Sequence, residues 1–182
     1  MISMPTVELR KITATNWDDV LSLRVDPAQE KFVDGVADSL AEAASTPYAM
    51  PWYRAVYDGE TPVGFVMISD NVEPGHEDCL GPYYLWRLLV DARFQGRGFG
   101  SAALDEVVAY VRQRPGAEIL LTSTTPGEGN PTSFYLRYGF RLTGEVFDGE
   151  AVLELDLSSV TEVTSASRND PVPLCVCNGV IM

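Results

Sequence analysis

Leu88–Val111, LLVDARFQGRGFGSAALDEVVAYV, decides how this chain of 182 residues folds. An apolar run ends at Asp91, a turn follows through Gln95-Gly96-Arg97-Gly98-Phe99-Gly100, and a helix is expected from Ser101. Leu104, Val107, Val108 and Val111 recur at i, i+3, i+4 and i+7, so the helix buries one side. Glycines at alternate positions leave consecutive backbone N–H groups unobstructed, and the helix that follows adds its positive end. That makes a cradle for an anion of pyrophosphate size, to which Arg97 adds a formal charge. The spacing is G-x-G-x-G, not the G-x-G-x-x-G of a dinucleotide fingerprint.

Outward from this turn the chain alternates strands and helices. Upstream, Thr6–Ile12 alternates as an opening strand, Asn16–Leu23 and Asp38–Ser45 read as helices, and Ser39 and Glu42 stand at capping-box spacing. YRAVYD and PVGFVMISD flank Asp58-Gly59 as a hairpin, and YYLWRLLVD is apolar enough for a strand covered on both faces. Downstream come a strand at Glu118–Thr124, a short helix capped by Asn130 or Thr132 and ended by Gly139, and a hairpin across Asp148-Gly149. The expectation is one mixed α/β (α+β) domain over residues 1–157. Residues 158–182 form a tail that is either flexible or docked as an extra strand on a sheet edge or a partner subunit, which leaves a homodimer open.

Composition limits the function. The formal net charge is −13, from 26 acids, 13 Lys and Arg and a neutral histidine. Such an acidic chain is a poor partner for nucleic acid or an anionic membrane and suits a cationic small molecule, although the same charge also serves solubility. No stretch approaches the roughly 18 apolar residues of a membrane span. The N-terminus lacks a basic start followed by an apolar run. Cys79, Cys175 and Cys177 form neither a disulfide framework nor a zinc spacing, so no metal is expected and a reducing, cytoplasmic compartment fits.

Gln95–Gly100 resembles the Q/R-x-x-G-x-G/A motif of the GNAT superfamily of N-acetyltransferases, and Tyr135-Leu136-Arg137-Tyr138-Gly139-Phe140 resembles that family's Y-x-x-x-G-F element. FVMISD, the stretch YYLWRLLVD through YVR, and TGEVFDGEAVLEL are similar to bacterial spermine/spermidine and diamine acetyltransferases. The resemblance implies a mostly antiparallel mixed sheet flanked by helices, with acetyl-CoA as co-substrate and a small polyamine as acceptor. It implies that the backbone of Leu88, Leu89 and Val90 pairs with the pantetheine arm, and that Gln95, Gly96, Arg97, Gly98, Phe99, Gly100 and Ser101 hold the pyrophosphate. It further implies that the Val90 N–H stabilises the oxyanion and that Tyr135 protonates the departing thiolate, a task suited to a phenol protonated at neutral pH. Where many relatives carry a cofactor-contacting Asn this chain has Glu128, and Asn130, two residues on, is the substitute candidate.

An alkylammonium must lose a proton before it attacks. The strand YYLWRLLVD lacks the Glu that many relatives place there, so Glu77, Asp78, His76 and a water relay are the candidate routes for that proton. Residues 26–78 hold eleven acids and only Lys31 and Arg54 as bases, −9 of the total charge, which would draw a polycation to an acceptor cleft. Trp17, Phe32, Trp52, Tyr53 and Trp86 could wall such a cleft. Aminoglycoside or protein-amine acetylation and a non-catalytic acetyl-CoA-binding module remain as alternatives, the last disfavoured by the presence of Tyr135.

Overall fold

β-Branched and aromatic runs broken by Asp-Gly and Gly-Pro pairs produce seven strands in one sheet, seen in a computed structural model that describes residues 5–158. The elements are β1 (Glu8–Arg10), α1 (Trp17–Leu21), α2 (Val36–Ser45), β2 (Pro51–Asp58), β3 (Thr61–Asp70), β4 (Tyr83–Val90), α3 (Phe99–Val111), β5 (Ile119–Thr124), α4 (Thr132–Tyr138), β6 (Arg141–Phe147) and β7 (Glu150–Asp156). The strand order is β1-β2-β3-β4-β5-β7-β6, and only β4 and β5 run parallel. The expected mixed, mostly antiparallel sheet is therefore present. The tail falls outside the described residues from position 159 onward, as do Cys175 and Cys177.

Alternation along β3 from Phe65 sorts its side chains into two cores. Val66 and Ile68, with Val63 at the β2–β3 bulge, join Ala103, Leu104, Val107 and Val111 of α3 on one face. Phe65 and Met67 join Val20, Leu23 and Val36 from the α1–α2 side on the other. The expected helical stripe Leu104, Val107, Val108 and Val111 is buried throughout. Truncating such a residue, Leu104→Ala for instance, costs about 2–5 kcal/mol.

Local chemistry sets the turns and helix starts. Asp148 and Gly149 both have positive φ, 47° and 80°, the backbone of a two-residue primed hairpin turn. The capping box expected at Ser39 and Glu42 is absent. α2 starts earlier, with Gly35 at its N-cap, and the buried Ser39 hydroxyl donates to the Gly35 carbonyl at 2.9 Å. α3 likewise begins at Phe99, two residues before the expected Ser101, with Gly98 at its N-cap (φ 87°).

Candidate active site

Two departures from a regular sheet create the site. β4 and β5 pair only at Tyr84 with Leu121 and Leu85 with Thr122, and beyond that the strands diverge. A bulge also interrupts β4: Met67 faces Arg87 and Ile68 faces Leu85, so Trp86 has no partner on β3. The bulge slips the side-chain parity by one, placing Tyr83, Leu85, Leu88 and Val90 against one core and Trp86 beside the other. The Val90 carbonyl accepts from Gln95 Nε2 at 2.9 Å, while the next residue, Asp91, donates its N–H to Val63 of β3. N–H and C=O of one residue leave an extended strand on the same side, so the Val90 N–H also faces the open edge.

The turn that follows is fixed at both ends. Buried Asp91 accepts from the Arg24 N–H at 2.9 Å, from the Arg93 N–H and from Arg93 Nε at 2.7 Å. Burial alone would lift its carboxyl, but these donors hold it below the usual carboxylate range. Gly96 (φ 73°) and Gly98 occupy the left-handed region, where a side chain is strained. Gly100 is needed for space: a Cβ there would sit 3.2 Å from Phe134 and 3.7 Å from Val90. The α3 ladder begins with Ala102, whose N–H reaches the Gly98 carbonyl at 3.0 Å. The first-turn N–H groups of Phe99, Gly100 and Ser101 precede that ladder, and no side chain caps them.

Between the diverging strands lies a cleft of about 810 Å³. Of the expected cofactor residues, Leu88, Val90, Gln95, Gly96, Gly98, Phe99, Gly100, Ser101 and Asn130 line it. Leu89 does not line it: its side chain is buried in the opposite core, and its backbone, two residues before Asp91, faces Phe65 of β3. The Arg97 guanidinium lies over the Phe94 ring, 5.7 Å from its centre, outside the cleft lining. Asn130 accepts from the Thr132 N–H at 3.3 Å and donates to the Thr125 carbonyl at 3.1 Å, which ties the β5–α4 connection together. Tyr135 lines the cleft from α4 with little exposure, edge-on to Phe134 and Phe140. Burial raises its phenol well above the ordinary tyrosine value, with Thr122 acting the other way.

A second cavity of about 320 Å³ shares Tyr84, Trp86, Arg87 and Glu150 with the first. Its charged lining is Glu42, Asp78, Asp148 and Glu150 against Arg87. Asp78 lies on this wall, whereas Glu77 is exposed and lines neither cavity, and His76 stacks on Tyr48. Of the eleven acids in residues 26–78, Glu42 and Asp78 alone line either of these two cavities. Glu60 pairs with Arg10, and Asp70 with Arg114 and Tyr110. Phe32 and Trp86 do line the large cleft, but Trp17 is exposed, Trp52 stacks on Tyr110 and Tyr53 packs near Phe65. Sequence reading missed Tyr84, Arg87, Ser123 and Glu150, whose meeting depends on sheet order.

A profile of the acetyltransferase (GNAT) family matches residues 17–140. The spermine/spermidine N(1)-acetyltransferase of Bacillus subtilis is 26% identical over 84% of this chain and 99% of that protein. The L-2,4-diaminobutyric acid acetyltransferase of Streptomyces coelicolor is 35% identical over 53% of this chain and 57% of its own. Among solved structures, the GNAT domain of S. lividans PAT superposes with a TM-score of 0.61 at 19% identity, covering 82% of this chain and 89% of that one. The PaiA N-acetyltransferase of Thermoplasma acidophilum, solved with coenzyme A, gives 0.59 at 13% identity over 83% and 99%. Among the described residues, no helix is long and apolar enough to cross a membrane. With its split strands, glycine turn and family profile, the chain belongs to the GNAT family of acetyltransferases.

Proposed function

We propose that this acetyltransferase transfers the acetyl group of acetyl-CoA to a primary amine of a polyamine such as spermidine. The observation that carries the acceptor is the second cavity, where four carboxylates face one arginine that is already paired with Asp34 at 2.6 Å and Glu42 at 2.7 Å. A polycation reaching through it would place its terminal amine at the shared wall of Tyr84, Trp86 and Glu150.

The cofactor cleft fits acetyl-CoA on its own chemistry. Three first-turn N–H groups of a 13-residue helix suit a diphosphate, and the unpaired β4 edge suits an amide-bearing arm. Gly96 and Gly98 through Ser101 would hold the first, and the backbone of Leu88 and Val90 the second. Bound acetyl-CoA supplies the acetyl group as a thioester. The Val90 N–H would donate to the carbonyl oxygen as it gains charge, an effect of a few kcal/mol when such a donor is removed. Tyr135, kept protonated by burial, would give the sulfur its proton.

A diamino acid is the second reading. It is favoured by Arg87, the cation shared by the linings of both cavities, which could meet a carboxylate on the acceptor. Calorimetric titration with spermidine tests the polyamine reading: Kd should rise steeply with salt, because exposed charges are screened over about 8–10 Å at physiological ionic strength. Salt-independent binding, or tighter binding of 2,4-diaminobutyrate, would contradict it.

A further inference from the structure

The junction of the two cavities holds a chain of hydroxyls with a fixed direction. Glu150 receives Ser123 Oγ on Oε2, and Thr125 Oγ1 on Oε1 at 2.7 Å. A carboxylate accepts and a serine hydroxyl has a single proton, so Ser123 gives that proton to Glu150. The 2.7 Å bond between Tyr84 Oη and Ser123 Oγ must then run from tyrosine to serine. Tyr84 has thus committed its own proton and keeps lone pairs for a donor in the cleft, since it lines both cavities.

We propose that Tyr84, Ser123 and Glu150 form the proton relay that takes the first proton from the acceptor's ammonium. This rests on the acetyltransferase reading above. The ammonium N–H donates to Tyr84 Oη, the Tyr84 proton passes to Ser123, and the Ser123 proton to Glu150 Oε2. One N–H bond breaks and one O–H bond forms on the carboxyl group, which discharges to solvent through the second cavity. The neutral amine attacks, the C–N bond forms and the C–S bond breaks. A second proton leaves the new amide nitrogen along the same relay to solvent, Tyr135 gives its proton to the sulfur and regains one from solvent, and the third hydrogen stays on the amide.

Tyr84 is the catalytic residue here, and Ser123 and Glu150 act through it. The charged and titratable groups facing them are Arg87 from β4, Glu42 from α2, Tyr48 from the turn after α2, Asp78 and Cys79 from the β3–β4 connection, Asp148 from the β6–β7 turn and Tyr135 from α4. None of these interrupts the three-residue chain of hydrogen bonds.

The test compares Tyr84→Phe, Ser123→Ala and Glu150→Gln with wild type across pH, using spermidine and 2,2,2-trifluoroethylamine, an amine largely neutral at pH 7. With spermidine at pH 7, each variant should lose about 10²-fold in kcat/KM, the scale of positioned proton transfer, and the double variants little more. The deficit should shrink as pH approaches 10 and nearly vanish with trifluoroethylamine. Calorimetric Kd for acetyl-CoA should stay within about 3-fold of wild type, which also identifies any variant that fails to fold; the other two then carry the test. A deficit equal at every pH and for both amines, or no deficit, overturns the relay. A wild-type enzyme that acetylates no amine overturns the acetyltransferase reading instead.

Discussion

Thr122 donates its hydroxyl to the Leu85 carbonyl at 3.1 Å, and this bond marks the point where β4 and β5 stop pairing. Tyr84 and Tyr135 line the same cleft as Thr122. The residue proposed to receive the amine's proton and the residue proposed to protonate the sulfur thus share one cleft, opened where β4 and β5 diverge.

Tyr135→Phe keeps the ring against Phe134 and Phe140 and removes the proton. Turnover should fall about 10²-fold or more, with the Kd for acetyl-CoA nearly unchanged, as measured by thiol release and calorimetry. Full turnover would reduce Tyr135 to a packing residue.

Gly100→Ala should weaken acetyl-CoA binding by about 10-fold, because its Cβ would press on Phe134 and move the α3 terminus. Adding Phe134→Leu makes room and should restore part of the loss. Without such rescue, the approach of α3 to Phe134 does not set the cradle.

In the second cavity, Asp78→Asn with Asp148→Asn should raise KM for spermidine several-fold more than for a monoamine, since only the former carries further ammonium groups. Glu77→Gln should leave both unchanged, because Glu77 lines neither cavity. Equal effects on both amines would place these charges outside acceptor recognition.

Stability should decline at both pH extremes, for different residues. Burial raises the Tyr135 phenol, and burial with the Asp70 bond pushes Tyr110 up to about 12. Above a pH of about 10 the unfolded chain loses phenol protons that the folded one keeps, so stability falls there. Tyr135→Phe should flatten that alkaline slope. Asp91, held below its ordinary value, contributes stability above a pH of about 4 that is lost on further acidification. Urea melts between pH 3 and 11 read both limbs, and an unchanged alkaline slope in Tyr135→Phe would contradict the assignment.

The glycine turn and its helix were legible because glycine spacing and a 3.6-residue stripe are local signals, and Asp148-Gly149 announced its hairpin for the same reason. The bulge at Trp86 was not legible: an apolar strand buried on both faces has no alternation to break. Ser39 misled because a serine inside the first turn can donate back to a carbonyl four residues earlier as readily as it can cap. Glu150 directly follows the Asp148-Gly149 turn, and nothing in its local sequence singles it out. Only the pairing of β5 with β7, Thr124 opposite Ala151, carries it to Ser123 and Thr125. The charge of residues 26–78 was counted correctly, yet most of it serves ion pairs, caps and solvent; the second cavity draws half its carboxylates from the β6–β7 hairpin.

The most direct test of the account is kcat/KM from free-thiol release with acetyl-CoA, measured side by side for spermidine, spermine, 2,4-diaminobutyrate, an aminoglycoside and a neutral-bodied monoamine. The account predicts that the two polyamines lead by at least about 10-fold, the scale of electrostatic steering, and that this lead collapses in high salt. A lead for 2,4-diaminobutyrate or the aminoglycoside, or equal values for the polyamines and the monoamine, would contradict it.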